Sequence, residues 1–324
     1  MTRPMILWAA GALFCAHAFQ AHAADLKDFP AGTQWVLSLD LKAAQASPLL
    51  QEVVGLIDPD KRQEAQNKLA SIKALFGIDL LKDIEQLVIA GNGNAQKGGV
   101  AYVYGAFDTQ RLSTILAGGK NFTSAQHGRF TILGWKDSQQ KYLSFATPGL
   151  ALLSNSQPAL TDALDVLAGA KAGLAPGSDF ASALERSGQE LLTVHAADVS
   201  SIVGAQPKAQ ALKQARSLDL RVRASGVESL SASLSVTAAS DETAQQIQQT
   251  LLGIQAITLL RSAEAPESAT LASLVRVNCQ GSTVGVTLSL PKAVLETAMR
   301  QREARRAAKA AAATNAPAPA AATN

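Results

Sequence analysis

Aromatic residues are missing from the second half of this chain. The twelve that follow residue 23 all lie between Phe29 and Phe180, and Ala181 to Asn324 contains none. Because aromatic rings supply much of the stacking and anchoring energy in ligand sites, we expect any site for a small molecule or a sugar in the first half. The candidate binding surface consists of four residues from that half: Tyr102, Tyr104, Trp135 and Tyr142.

Cysteine and histidine are also scarce. The two cysteines are Cys15 and Cys279, and Cys15 lies in an N-terminal segment that we expect to be removed, so no internal disulfide is predicted. His127 and His195 are the histidines after residue 23, and neither belongs to an H-E-x-x-H or a Cys/His metal spacing. No G-x-S-x-G motif accompanies them. We therefore expect no metal, no cofactor and no catalysis, and a hydrolase site assembled from scattered residues is kept as an alternative.

Long hydrophobic runs are absent after the first 23 residues, which predicts no transmembrane segment in the mature chain. The N-terminus combines a positive charge at Arg3, an apolar run from Met5 to Phe19, and the small residues Ala21 and Ala23. This combination is typical of a secretory signal peptide covering residues 1–23. The sequence thus predicts an exported protein, periplasmic or extracellular.

A glycine cluster beginning at Gly91 and Gly93 raises the question of a nucleotide-binding loop. Such a loop requires G-x-G-x-x-G followed by a helix, and Gln96 stands where the third glycine should be. The residues that follow, GVAYVYGAF, are β-branched and aromatic, and Asn92-Gly93 is a turn dipeptide. The stretch therefore predicts a β-hairpin with a polar tip. Because its strands are apolar on both faces, we expect them to be covered on both sides or to expose their tyrosines for binding.

The order of predicted elements is repeated along the chain. A strand, an aspartate and a helix follow one another in VLSLDLKAA at Val36 and again in VHAADVSSI at Val194. Each set is followed by a hairpin, a helix, further antiparallel strands and a closing helix. We predict an α+β fold of two β-α-β-β-α-β-type units, residues 24–172 and 173–297, with a largely antiparallel sheet and helices packed on one face.

Strand alternation is clearest in the second unit. Between Ser229 and Ala238, serine and threonine alternate with leucine, valine and alanine. Such a pattern predicts one face on a core and the other in water. In the same way Cys279 alternates with inward residues, so we expect it to pack as a small apolar side chain.

Basic residues collect at the C-terminal end. The net charge of the whole chain is +3, and from Ala298 onward five basic residues face a single acid, Glu303. The near-neutral remainder and the predicted export argue against nucleic acid as a partner. Residues 298–324 are predicted to form a basic helix end and a disordered Ala/Pro tail. A basic stripe on that helix would contact an anionic membrane surface or an envelope protein: Arg302, Arg305, Arg306 and Lys309.

The layout resembles that of uncharacterised exported bacterial proteins known only as domains of unknown function. The resemblance depends on the signal peptide, on the strand-to-helix segments SLDLKAA and HAADVSS, and on the helix end LTDALDVLAG. It implies a periplasmic or cell-surface protein without established catalytic residues. We therefore expect a non-catalytic binding or envelope-associated interaction protein. The alternative is a periplasmic carrier of an apolar or lipid-like ligand, which would require a large apolar cavity in the first half.

Overall fold

One twelve-stranded sheet runs through the computed structural model of the chain, which describes residues 24–93, 99–136, 138–199, 214–262, 266–301 and 304. The strands are β1 (Trp35–Asp40), β2 (Ile84–Gly91), β3 (Val100–Gly105), β4 (Thr123–His127), β5 (Phe130–Lys136), β6 (Gln140–Thr147), β7 (Leu150–Ser154), β8 (Glu190–Ala196), β9 (Ala215–Ser225), β10 (Ser229–Ala238), β11 (Val275–Gln280) and β12 (Thr283–Pro291).

The helices are α1 (Leu41–Ala46), α2 (Pro48–Gly55), α3 (Pro59–Phe76), α4 (Thr109–Ala117), α5 (Gln157–Leu167), α6 (Ala181–Leu184), α7 (Asp241–Leu260) and α8 (Pro266–Leu274). Residues 292–301 are also helical and are called α9. A 3-10 turn at Leu26–Asp28 precedes β1.

The sheet is arranged symmetrically about the pair formed by β1 and β8, in the order β11-β12-β10-β9-β8-β1-β2-β3-β7-β6-β5-β4. On each side of the pair lie two more consecutive strands, and the last strand of each half returns to the outermost of them, β7 to β3 and β12 to β10. The described pairings are all antiparallel, so helices α1–α3 connect antiparallel neighbours and not the parallel strands of a split βαβ unit. The α+β class and the largely antiparallel sheet are confirmed.

Capping side chains start the helices that follow β1. The Asp40 side chain at the end of β1 accepts from the backbone N–H of Ala43 at 2.8 Å and thereby caps α1. Ser47 and Asp58 cap α2 and α3, and each is followed by a proline that needs no hydrogen-bond partner. These caps satisfy backbone donors that a helix leaves free at its N-terminus.

Helices cover the two halves of the sheet differently. In the first half one face packs against Leu160 and Leu164 of α5, and the other face packs against Leu116 of α4. In the second half α7 packs through Ala244 and Ile247 on one face. The predicted one-sided helix layer therefore describes the second half only. The physical reason is that first-half strands such as β3 are apolar on both faces, whereas second-half strands alternate between apolar and polar residues.

The glycine cluster makes room for a tryptophan. The β2–β3 hairpin forms as predicted, with its tip, residues 94–98, outside the described residues. A Cβ atom on Gly91 would lie 2.7 Å from the Trp35 ring, and one on Gly99 would lie 3.1 Å from it. The Trp35 Nε1 donates to the carbonyl oxygen of Gly93 at 3.0 Å. Gly91 and Gly99 therefore allow the Trp35 ring to pack closely against the hairpin backbone.

We predict that Gly91→Ala destabilises the protein by about 1–3 kcal/mol, because the added methyl group must displace the Trp35 ring. Urea unfolding followed by tryptophan fluorescence would measure the loss and the change in emission. The matched control is Gly253→Ala, where a Cβ meets nothing within 4 Å inside α7. That control should be neutral or stabilising. Equal stabilities of both variants would contradict the packing role.

Candidate functional site

The four aromatic residues of the candidate binding surface do not form one surface. Tyr102 and Tyr104 are 0% and 1% exposed and belong to the core under α5. This corrects the sequence prediction for the two tyrosines: β3 is an inner strand covered on both sides, so its aromatic rings are buried. Trp135 and Tyr142 are half-buried, and they pack on opposite faces of the β5–β6 pair. Their role in binding stays a prediction.

The cavity beside Tyr102 is small. Its volume is about 50 Å³, and Gly91, Asn92 and Asp162 also line it. Burial raises the pKa of both Tyr102 and Tyr104 above the ordinary value, so the two phenols stay neutral. Ligand pockets have volumes of roughly 300–1,000 Å³. This cavity therefore does not supply the large apolar chamber that the carrier alternative requires in the first half.

His127 belongs to a surface ion cluster. Its Nε2 lies 2.6 Å from Oδ1 of Asp165, and Lys171 Nζ lies 2.9 Å from the other carboxylate oxygen and 2.8 Å from Asp162. The hydrogen bond from Lys171, followed by the one from His127, lowers the pKa of Asp165. The cluster ties the end of β4 to α5, which is a structural role.

His195 is buried in the sheet. The Phe180 ring packs edge-on against it at a centroid distance of 4.9 Å, and Nδ1 lies 3.6 Å from Oδ2 of Asp219. Neither ring nitrogen has a hydrogen-bond partner among the described residues. A Ser-His-Asp site needs a hydroxyl group bound to the histidine. The described contacts of His127 and His195 give no such hydroxyl, so they do not support the hydrolase alternative.

Metal chemistry has no candidate in the described ranges. No group of three or more His, Cys, Asp or Glu side chains within them is placed to hold a metal ion. Cys279 is a half-buried free thiol whose neighbours include the apolar cluster under α7. This position agrees with the sequence prediction that Cys279 packs on the inward side of β11, where inward and outward residues alternate.

An ion cluster missed in the sequence holds the two halves together. Arg186 Nε donates to Oδ2 of Asp40 at 3.0 Å, Nη2 to Oδ1 at 3.3 Å, and Nη1 to Oε2 of Glu85 at 3.2 Å. Arg186 lies just before β8, while Asp40 and Glu85 lie on β1 and β2. The aspartate was visible as a helix cap, but nothing in the local sequence of Arg186 indicates its distant partner.

The C-terminal part of α7 leaves several large apolar side chains exposed. The apolar cluster that α7 forms with the sheet extends to Leu251, and residues 252–260 carry no charged side chain. Within that segment the amide of Gln255 donates to the carbonyl oxygens of Ala272 in α8 and Val275 in β11, at 2.6 and 3.1 Å. Several large side chains there are exposed, above all Ile254 (56%), Ile257 (55%) and Leu260 (84%). We define the apolar helix end as these exposed residues of α7 and α8: Leu252, Ile254, Ile257, Leu259, Leu260 and Leu271.

A groove between α8 and α9 adjoins the apolar helix end. It has a volume of about 240 Å³, and Leu271 from α8 and Val294 and Ala298 from α9 form part of its uncharged lining. Arg300 at the end of α9 is mostly exposed and lies 3.8 Å from Glu296. The predicted basic stripe lies outside the described residues: Arg302, Arg305, Arg306 and Lys309.

Comparison with known proteins gives a fold and no family. No protein-family model and no curated protein matches the chain. Crystal form III of TP0453 is similar to 86% of this chain over 99% of its own length, with a TM-score of 0.50 and 11% identity. Crystal form I has a TM-score of 0.46 and 10% identity over 87% of this chain and 98% of its own. At such identity the similarity to form III concerns the fold alone, and the resemblance to an exported family stays a prediction.

We predict that Arg186→Ala destabilises the protein by about 3 kcal/mol, because it leaves the buried Asp40 carboxylate without its partner. Arg186→Lys should recover only part of the lost stability, since an ammonium group cannot form the bidentate hydrogen bonds that the guanidinium forms with Asp40. Urea unfolding would measure both variants. An Arg186→Ala protein as stable as the wild type would show that the cluster is not needed.

The ion cluster at His127 predicts acid-dependent stability. Because the pKa of Asp165 is lowered in the folded state, its contribution is present above the unfolded value of about 4 and disappears as the pH falls through the lowered one. The melting temperature of Asp165→Asn should therefore lie below that of the wild type at pH 6 and approach it near pH 2. In a Lys171→Gln background the difference at pH 6 should shrink. A difference independent of pH would contradict this assignment.

Proposed function

We propose that the chain is an exported, non-catalytic binding protein of the cell envelope that attaches to an anionic lipid surface through the apolar helix end. The observation that carries this proposal is the exposure of Ile254, Ile257 and Leu260 on a helix segment without charges. The signal-peptide pattern of residues 1–23 supports the export part.

Apolar side chains exposed to water are energetically unfavourable. A helix that is apolar on all sides is normally buried in a protein core or in lipid. Contiguous apolar patches on a protein surface typically mark contact with a membrane or another protein. Each large aliphatic side chain fully removed from water contributes about 1.5–3 kcal/mol, so a few side chains suffice for measurable attachment.

Charge favours lipid over an apolar protein partner. Arg261 and Arg300 lie at the ends of α7 and α9, and the chain continues into the basic stripe. Residues 298–309 include five arginines or lysines and one glutamate. Basic residues beside an apolar helical face are the pattern of segments that lie in the interface of an anionic membrane.

Attachment would take place at the surface of the bilayer. Among the helices of the described residues, none is long and apolar enough to cross a membrane. The apolar helix end is exposed and shares Leu271 with the lining of the neighbouring groove, so both would enter the plane of the interface together. The groove volume of about 240 Å³ is too small to enclose a whole lipid, so the carrier alternative has less support.

Vesicle flotation of residues 24–324 tests this proposal. The wild type should float with vesicles of equal parts phosphatidylcholine and phosphatidylglycerol, less with phosphatidylcholine alone, and less in high salt. The triple variant Ile254→Ser, Ile257→Ser, Leu260→Ser should bind about a hundredfold more weakly, because three apolar side chains no longer enter the interface. The matched control is Val54→Ser, Leu75→Ser, Leu81→Ser, whose residues are 49%, 60% and 51% exposed in the first half.

The control variant should bind like the wild type. If the wild type floats with neither vesicle, or if both triple variants lose binding equally, the attachment surface proposed here is wrong. Removal of residues 302–324 should weaken binding to anionic vesicles and leave binding to neutral ones unchanged.

A further inference from the structure

The polar face of the second half lies opposite the face that packs against α7. On β10 the serines and threonines from Ser229 to Thr237 point to this face, because their neighbours Leu234, Val236 and Ala238 belong to the α7 cluster. Alternation along a strand fixes which side chains share a face. The face therefore presents hydroxyl groups from one strand after another.

Strand register arranges these groups in rows across four strands. One row pairs Arg221 with Ser233, Ser233 with Thr287, and Thr287 with Arg276. The next row pairs Arg223 with Ser231 and Ser231 with Ser289. The first row spans three strand spacings, or about 14 Å, and the second spans two, so the first row is long enough for several sugar units or a comparable extended chain.

The rows line a concave part of the sheet surface, which encloses a volume of about 490 Å³. Among the described residues its lining includes no carboxylate; serine and threonine hydroxyls and several apolar side chains contribute to it together with three arginines: Arg221, Arg223 and Arg276. We call this surface the arginine-hydroxyl face. Guanidinium groups bind carboxylates with two parallel hydrogen bonds, which strengthen the binding of an anion and fix its orientation.

Two of these arginines form ion pairs with carboxylates that lie outside the lining of the concavity. Arg223 Nη2 lies 2.6 Å from Oε1 of Glu190, and Arg221 Nε lies 2.8 Å from Oδ1 of Asp219. Both acids lie on the β8–β9 side. Arg276 on β11 donates instead to the carbonyl oxygens of Ser273 and Val275, at 2.9 and 3.3 Å, and has no described ion pair. Asp219 and Glu190 contact Arg221 and Arg223, and the charge of Glu185 also acts on Arg221. The guanidinium without an ion pair among the described residues is therefore that of Arg276, at the outer strand.

We infer that the arginine-hydroxyl face binds an acidic polysaccharide. Its carboxylates would pair with Arg223 and Arg276, and its hydroxyl groups would hydrogen-bond with the serines and threonines between them. Stacking on aromatic rings has no part in this recognition, since no aromatic residue follows Phe180. The apolar helix end belongs mainly to α7, which packs on the opposite face of these strands, while Leu274 at the end of α8 also lines the concavity.

Calorimetric titration of residues 24–324 with a hexamer of galacturonic acid tests the inference. The wild type should bind saturably, and Arg223→Gln and Arg276→Gln should each weaken binding at least about tenfold, because each removes a charged hydrogen bond. Arg216→Gln is the matched control, an exposed arginine of β9 outside the concave lining, and should bind like the wild type. Thermal melts would show that each variant is folded.

The ligand class is tested by two further probes. Maltohexaose, which is neutral, and a glutamate hexapeptide, which is acidic but has no sugar hydroxyls, should both bind at least about tenfold more weakly than the uronic acid hexamer. Equal binding of the peptide would assign the face to an acidic protein partner, and equal binding of maltohexaose would remove the role of charge. Absence of saturable binding by the wild type, or equal loss in Arg216→Gln, would overturn the inference. The triple variant of the apolar helix end should bind the hexamer normally, so failure of lipid attachment and failure of this site are distinguishable.

Discussion

The pairing of β1 with β8 is the constraint on which the rest of the molecule depends. It joins the first strand of each half from Trp35↔Ala196 to Leu39↔Leu192. At one end of this pair Arg186 binds Asp40, and at the other end Trp35 packs with Ala196 over the glycines of the hairpin. Because both ends are fixed, the two halves cannot slide or separate without losing a buried ion pair and a core tryptophan. They therefore share one sheet.

A shared sheet gives the protein two continuous faces, and side-chain patterns determine what covers each. In the first half both faces are apolar and both are covered, which is why Tyr102 and Tyr104 are in the core. In the second half the strands alternate, so α7 packs on one face and the other stays polar. The core below α7 is built mainly from alanine and valine, and it ends near Leu251. Beyond that point the large apolar side chains of α7 are mostly exposed, although Gln255 still donates a hydrogen bond to the carbonyl oxygen of Val275 at the start of β11.

Local features of the structure were readable in the sequence, and long-range ones were not. Asp40, Ser47 and Asp58 cap helices because capping depends on neighbouring residues. In the same way, turn residues predict the hairpin at Gly91, and the alternation of polar and apolar residues predicts the polar face from Ser229 to Thr237. The partner of Arg186 and the neighbours of β3 depend on strands far away in the chain. The run LLGIQAITLL also indicates an apolar end of α7, but whether such a segment is buried depends on which distant elements pack against it.

The two candidate surfaces follow from this difference between the halves. An apolar helix end and an arginine-hydroxyl face on opposite sides of the same strands can be occupied at the same time, because neither ligand would cover the other. Both surfaces lie in the half without aromatic residues, where side chains are too small to close the core or to stack on a sugar. The two proposed modes of recognition there depend on apolar contact at one surface and on charge and hydrogen bonds at the other. A protein held at a lipid surface by the first would present the second toward the surrounding solution.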